Sequence, residues 1–161
     1  MFNHAFIFSP GLWLGEGKII LNMVEEELFF GTKWSVQNTD FAGKVNCAQE
    51  IQIQGLPEQM RNDLAFHDFQ SKTFQVDMEN QNVGRIVGTG VFDEKMIAWE
   101  FRNNANFEGY ETYLLQEDGS YLMKGEYVTN DQFRTQIEAR IWLHSKEVTS
   151  SDEPQENEGE L

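Results

Sequence analysis

From Trp13 onward the chain repeats one pattern in segment after segment: apolar and polar side chains in alternation. A period of two sends successive side chains to opposite faces of an extended strand, which a helix cannot do. Leu28, Phe30, Thr32, Trp34 and Val36 share a face, with Lys33 and Ser35 on the other. Val45, Cys47, Gln49, Ile51 and Ile53 form a second such face, and Phe74, Val76 and Met78 a third. Ile97, Trp99 and Phe101, and then Ile137, Ala139, Ile141 and Leu143, repeat the pattern. Turn formers separate the runs at Asp40 to Gly43, Asn80 to Asn82, Asp93-Glu94, Asn103 to Asn106, Asp118-Gly119 and Asn130-Asp131. Asp118-Gly119 suits a tight hairpin in which both residues take positive φ.

Eight to ten strands at this spacing predict an all-β, antiparallel up-and-down meander. A flat meander with aromatic faces would expose two adhesive edges, so closure into a barrel is the expected solution. Gly15, Gly17, Gly88 and Gly90 fall inside strand patterns, where glycine marks bends or close approach of neighbouring strands. The segment Leu56 to Leu64 reads either as a helical turn after Pro57 or as a strand, and strand is preferred. Periodicity ends at Ser145. The expected organisation is one β-barrel domain over 1–145 and a disordered acidic tail over 146–161.

Charge narrows the partners. The 161 residues carry a formal net charge of −15, and the tail alone holds six acids against Lys146. Such a surface repels phosphate backbones and anionic lipid, which argues against nucleic acid and membranes as partners. The oligomeric state is left open. Cys47 is the only cysteine, so no intrachain disulfide forms. The apolar N-terminus lacks a basic region and is broken by Ser9-Pro10-Gly11, unlike a signal peptide, and the cytoplasm is the expected location.

Gly11-Leu12-Trp13-Leu14-Gly15-Glu16-Gly17 resembles the Gly-x-Trp opening strand of calycins, the superfamily of lipocalins, fatty-acid-binding proteins and nitrobindin-like proteins. Its longer Gly-x-Trp-x-Gly-x-Gly form looks most like the nitrobindin-type start. Ala139-Arg140-Ile141-Trp142 is similar to the Arg-x-Tyr closing strand of fatty-acid-binding proteins, with Trp142 in place of the Tyr. The resemblance implies a closed calycin-like barrel whose first and last strands meet, and an interior that binds a small apolar ligand. In the fatty-acid binders the Arg and Tyr hold a ligand carboxylate, and in lipocalins a late Arg packs over the early Trp.

The candidate ligand-binding residues are Trp13, Trp34, Trp99, Glu100, Tyr113, Tyr127, Arg140 and Trp142. Arg140 reads either as a cation–π closure over Trp13 or as a head-group anchor. Alternation turns Ile137, Ala139 and Ile141 inward, whereas the fatty-acid-binder analogy needs Arg140 and Trp142 inward. Glu100 reads as a solvated ion pair with Arg102, or as an inward acid. Glu108, Glu111 and Glu126 read as surface charges. Tyr110, Tyr113, Tyr121 and Tyr127, with Phe107, Trp34 and Trp99, either line a cavity or fill the barrel, and filling is preferred.

His4, His67 and His144 stand far apart, with no pair at metal-ligand spacing, and no catalytic or metal site is expected. Nitrobindin-like proteins bind haem through a late histidine near the place of His144, but the other features of that family's C-terminal half are missing, and no cofactor is expected. Two functions remain: non-enzymatic binding of a small, mostly apolar ligand, or a filled barrel serving as a structural or protein-interaction module.

Overall fold

The computed structural model describes residues 4–24, 26–102, 107–129 and 133–147. The expected turns at 103–106 and 130–131, and the tail beyond residue 147, lie outside them. Ten strands follow one another: β1 (Gly11–Leu21), β2 (Glu27–Val36), β3 (Val45–Ile53), β4 (Gln59–His67), β5 (Thr73–Asn80), β6 (Gly84–Phe92), β7 (Met96–Phe101), β8 (Phe107–Leu115), β9 (Tyr121–Thr129) and β10 (Arg134–Ser145). Each pairs antiparallel with the next, and β10 returns to pair with β1, so the sheet closes into a barrel. Closure leaves no unpaired edge. The ambiguous segment after Pro57 is strand: Met60 pairs with Ile51 and Leu64 with Cys47.

The seam joins the strands that the two terminal motifs mark, with Gly15 opposite Ile141 and Gly17 opposite Ala139. Here glycine is required by close approach. A Cβ on Gly17 would sit 2.1 Å from the Glu138 carbonyl oxygen, and one on Gly15 would sit 2.6 Å from the Ile141 side chain. On β6, Gly90 leaves room for the Phe74 ring, whose nearest atom would lie 2.1 Å from an added Cβ. These are the inward positions of a strongly curved sheet, as the glycine pattern predicts.

The inward faces are those that alternation selects. On β10, Ile141 is buried while Arg140 is exposed, so the hydrophobic period overrides the fatty-acid-binder analogy. The Arg140 guanidinium lies over the outward Trp142 ring, 5.5 Å from its centroid, and pairs with Asp118 at 3.0 Å. It therefore makes no cation–π closure over Trp13, which faces the interior.

The loop joining β8 to β9 is longer than a two-residue turn. Gly119 N–H donates to Gln116 C=O and Gln116 N–H to Ser120 C=O, and only Gly119 has positive φ. That is a turn closed by a glycine bulge rather than the expected tight hairpin. The Asp118 carboxylate accepts from the Ser120 hydroxyl and amide and from Arg140, which hold it down at about 2.

One end of the barrel is closed by the chain itself. Residues 4–10 fold across it, with Phe6 and Ile7 fully buried. The Phe6 ring meets Trp34 at 5.2 Å, Trp13 at 5.3 Å and Tyr113 at 5.0 Å between centroids. His4 ties the segment down. Its Nε2–H donates to Asp93 C=O at 2.6 Å, which leaves Nδ1 to accept the Tyr121 hydroxyl at 2.7 Å. Ile7 has φ of 60°, an unfavourable conformation for a β-branched residue, tolerated here because the side chain is buried in the core. Among the described residues, no helix is long and apolar enough to cross a membrane.

Candidate ligand cavity

Strand direction sorts the interior into two halves. At the end closed by residues 4–10, Trp13, Trp99, Phe66, Phe74 and Tyr121 interlock as a packed aromatic core. Towards the opposite end, between the β1–β2 and β5–β6 turns, the inward residues no longer meet across the barrel, leaving a cavity of about 350 Å³. The interior is thus part core and part cavity. Trp34 and Tyr113 stand between the two, against Phe6 on one side and lining the cavity on the other.

The walls are mostly apolar: Ile19, Ile51, Ile137, Phe30, Met60 and Met123 are among them. Two polar features interrupt them. The first is a ladder across β2 to β5. Asn80 Nδ2 donates to Asn62 Oδ1 at 2.9 Å, Asn62 Nδ2 to Gln49 Oε1 at 3.0 Å, and Gln49 Nε2 to the Thr32 hydroxyl at 3.2 Å. Thr32 ends the relay by donating to Glu50 C=O at 3.0 Å, and Asn80 Oδ1 accepts the amides of Asn82 and Val83. Each side chain satisfies its neighbour, which is what makes polar groups tolerable on an inward face.

The second feature is Glu111 on β8. Around the ring of ten strands β8 stands opposite β3, the strand of Gln49. Tyr113 donates its hydroxyl to Glu111 Oε1, and Tyr127 donates to Oε2. Two glycines make the arrangement possible. An added Cβ on Gly109 would lie 2.1 Å from the Tyr127 ring, and one on Gly125 would lie 3.3 Å from the Glu111 side chain. Phe107 stacks on Tyr127 at 4.9 Å, continuing the aromatic wall. Burial pushes the Glu111 carboxyl above the ordinary glutamate range, against the pull of the two hydroxyls. Burial, and then the Glu111 charge, raise both tyrosines well above theirs.

Of the eight candidate residues, the cavity brings together Trp34, Tyr113 and Tyr127. Trp13 and Trp99 are inward but belong to the packed half, Trp99 stacking on Tyr113 at 4.9 Å. Glu100, Arg140 and Trp142 are corrected to the outer face. Glu100 pairs with Arg102 at 3.0 Å, and Arg140 and Trp142 border an open groove over β1 to β4, β9 and β10. Even spacing along β7 and β10 leaves them no inward position once Trp99 and Ile141 take theirs. His144 is exposed.

Glu111 corrects the reading of that residue as a surface charge. The signal was in the period: Phe107, Gly109, Glu111 and Tyr113 share one face of β8. The Gln49–Asn62–Asn80 ladder was equally readable, since Gln49 stands between the inward Cys47 and Ile51.

No family model matches the sequence, and no curated protein matches it. A solved structure does match in shape: the S-type phycobiliprotein lyase CPES from Guillardia theta, with a TM-score of 0.65 and 8% identity, covering 86% of this chain and 90% of that one. The fold is calycin-like. At that identity the likeness concerns the path of the chain, and the calycin-like barrel described here is furnished by its own side chains.

Proposed function

We propose that this calycin-like barrel is a non-enzymatic binding protein for a small, mostly apolar molecule held in its open half. The observation that carries the reading is the cavity of about 350 Å³, closed below by Trp34 and Tyr113 and lined mainly by aliphatic and aromatic groups with a few convergent polar ones. That volume is at the small end of ligand sites, which span roughly 300–1,000 Å³. The structural neighbour is by name a phycobiliprotein lyase, and the likeness in chain path supports the reading at the level of the fold.

The neutral fluorophore N-phenyl-1-naphthylamine tests the reading. Saturable one-to-one enhancement of its emission is expected, with energy transfer from Trp34. Ile137→Trp, which fills the cavity from its wall, abolishes the enhancement while leaving the far-ultraviolet β spectrum intact. Undiminished binding by a folded Ile137→Trp protein, or no saturable binding by the natural chain, contradicts the proposal.

A further inference from the structure

Glu111 is the only Asp, Glu, Lys, Arg or His among the described residues that line the cavity. Its two carboxylate oxygens each accept one tyrosine hydroxyl, so two donors stand ready to hold the ionised form once a partner charge arrives. What the arrangement lacks is a counter-charge.

Every element packed around Glu111 turns neutral groups towards it. On β7 the inward residues are Trp99 and Phe101, on β9 Met123, Gly125 and Tyr127, and on β8 Gly109 and Tyr113. The nearby charges lie on the outer faces, where Glu100 pairs with Arg102 and Glu126 with Arg134. The opposite wall is the ladder of neutral amides. The residues outside the described segments contain no Lys, Arg or His at all. A carboxylate held on the wall of an apolar cavity without a cation is costly, and one given a cation of good fit is less so. The rings of Tyr113, Tyr127 and Phe107 line the cavity beside it, and aromatic rings attract cations rather than anions.

We propose that the cavity selects a small organic cation, an ammonium on an apolar or aromatic body, with Glu111 as its counter-ion and Tyr113 and Tyr127 as the surrounding aromatic groups. The proposal rests on the binding reading above and adds the charge of the ligand. Burial shifts the acid of the empty barrel towards its protonated form, and an incoming ammonium displaces that proton to the buffer. Anionic ligands such as fatty carboxylates are excluded, because no cation lines the cavity to receive them.

Three probes of one shape separate the possibilities: 2-phenylethylammonium, 2-phenylethanol and 3-phenylpropanoate, titrated calorimetrically into the full chain and into Glu111→Gln. The ammonium is expected to bind the natural chain about tenfold or more tightly than the alcohol, and the carboxylate weakest. Glu111→Gln removes the advantage of the ammonium and keeps binding of the alcohol. Titration in two buffers of different ionisation enthalpy shows release of about one proton per ammonium bound at pH values below the Glu111 pKa, where affinity climbs about tenfold per pH unit. Equal binding of alcohol and ammonium, or preference for the carboxylate, overturns the cation assignment and leaves apolar binding standing. Failure of all three probes and of the neutral fluorophore overturns both. If Glu111→Gln does not fold, the probe order and proton release in the natural chain decide alone.

Discussion

Replacing Glu111 with glutamine should stabilise the protein at neutral and alkaline pH, and the gain should vanish in acid. Burial raises the folded-state pKa of this acid, so the folded chain keeps a proton that the unfolded chain gives up near the ordinary glutamate value of about 4.3. The folded state then binds more protons, and stability falls as pH rises. The contribution is full below the unfolded value and is lost as pH climbs through the folded one. Inside that window one proton is at stake, so the slope is about 1.4 kcal/mol per pH unit. Glutamine keeps the shape, accepts one tyrosine hydroxyl and has no such slope. Urea titrations of both proteins at pH 5, 6, 7 and 8 give the difference directly. The two stability curves should diverge as pH rises and become parallel above the folded pKa, with the variant the more stable. Parallel curves throughout, with glutamine the less stable, would show that the two tyrosines hold the carboxylate ionised at every pH and would refute the argument.

Other perturbations probe the framework. Phe6→Ala removes the ring that Trp13, Trp34 and Tyr113 enclose and should cost about 3–5 kcal/mol in urea unfolding; under 1 would mean that residues 4–10 are not part of the core. Gly17→Ala drives a methyl against the Glu138 carbonyl oxygen, so the seam strands must part, and a loss of about 1–3 kcal/mol or more is expected, where an unchanged midpoint would contradict the closeness of the seam. Arg140→Ala removes a half-exposed ion pair and should change stability by less than about 1 kcal/mol with cavity binding intact; lost fluorophore binding would return Arg140 to the site.

Most of the barrel could be read from alternation because sheet pairing has the same period as the pattern. The inward sets on β2, β3, β5, β7 and β10 follow from hydrophobicity alone, and the seam was marked by glycines that a curved sheet needs. The site was less legible, for two reasons. Glu111 and the Gln49–Asn62–Asn80 ladder obey the period but violate polarity, so for Glu111 position and residue type point opposite ways. Phe6 closes the barrel by a contact between the first residues and strands far along the chain, and nothing local in Ala5-Phe6-Ile7-Phe8 states which surface it will cover. The same closure divides an interior whose aromatic content favours filling: the plug fills one half and leaves the other open.

The central claim, a ligand in the open half, is tested most directly by isoleucine δ1-methyl NMR during titration with 2-phenylethylammonium and, in parallel, 2-phenylethanol. Ile19, Ile51 and Ile137 line the cavity, Ile7 and Ile97 lie in the packed half, and Ile20 alternates to the outer face. Saturable shifts at Ile19, Ile51 and Ile137 with Ile7, Ile97 and Ile20 still are the predicted result. Shifts centred on Ile20, or none at saturating concentrations of either probe, would contradict it.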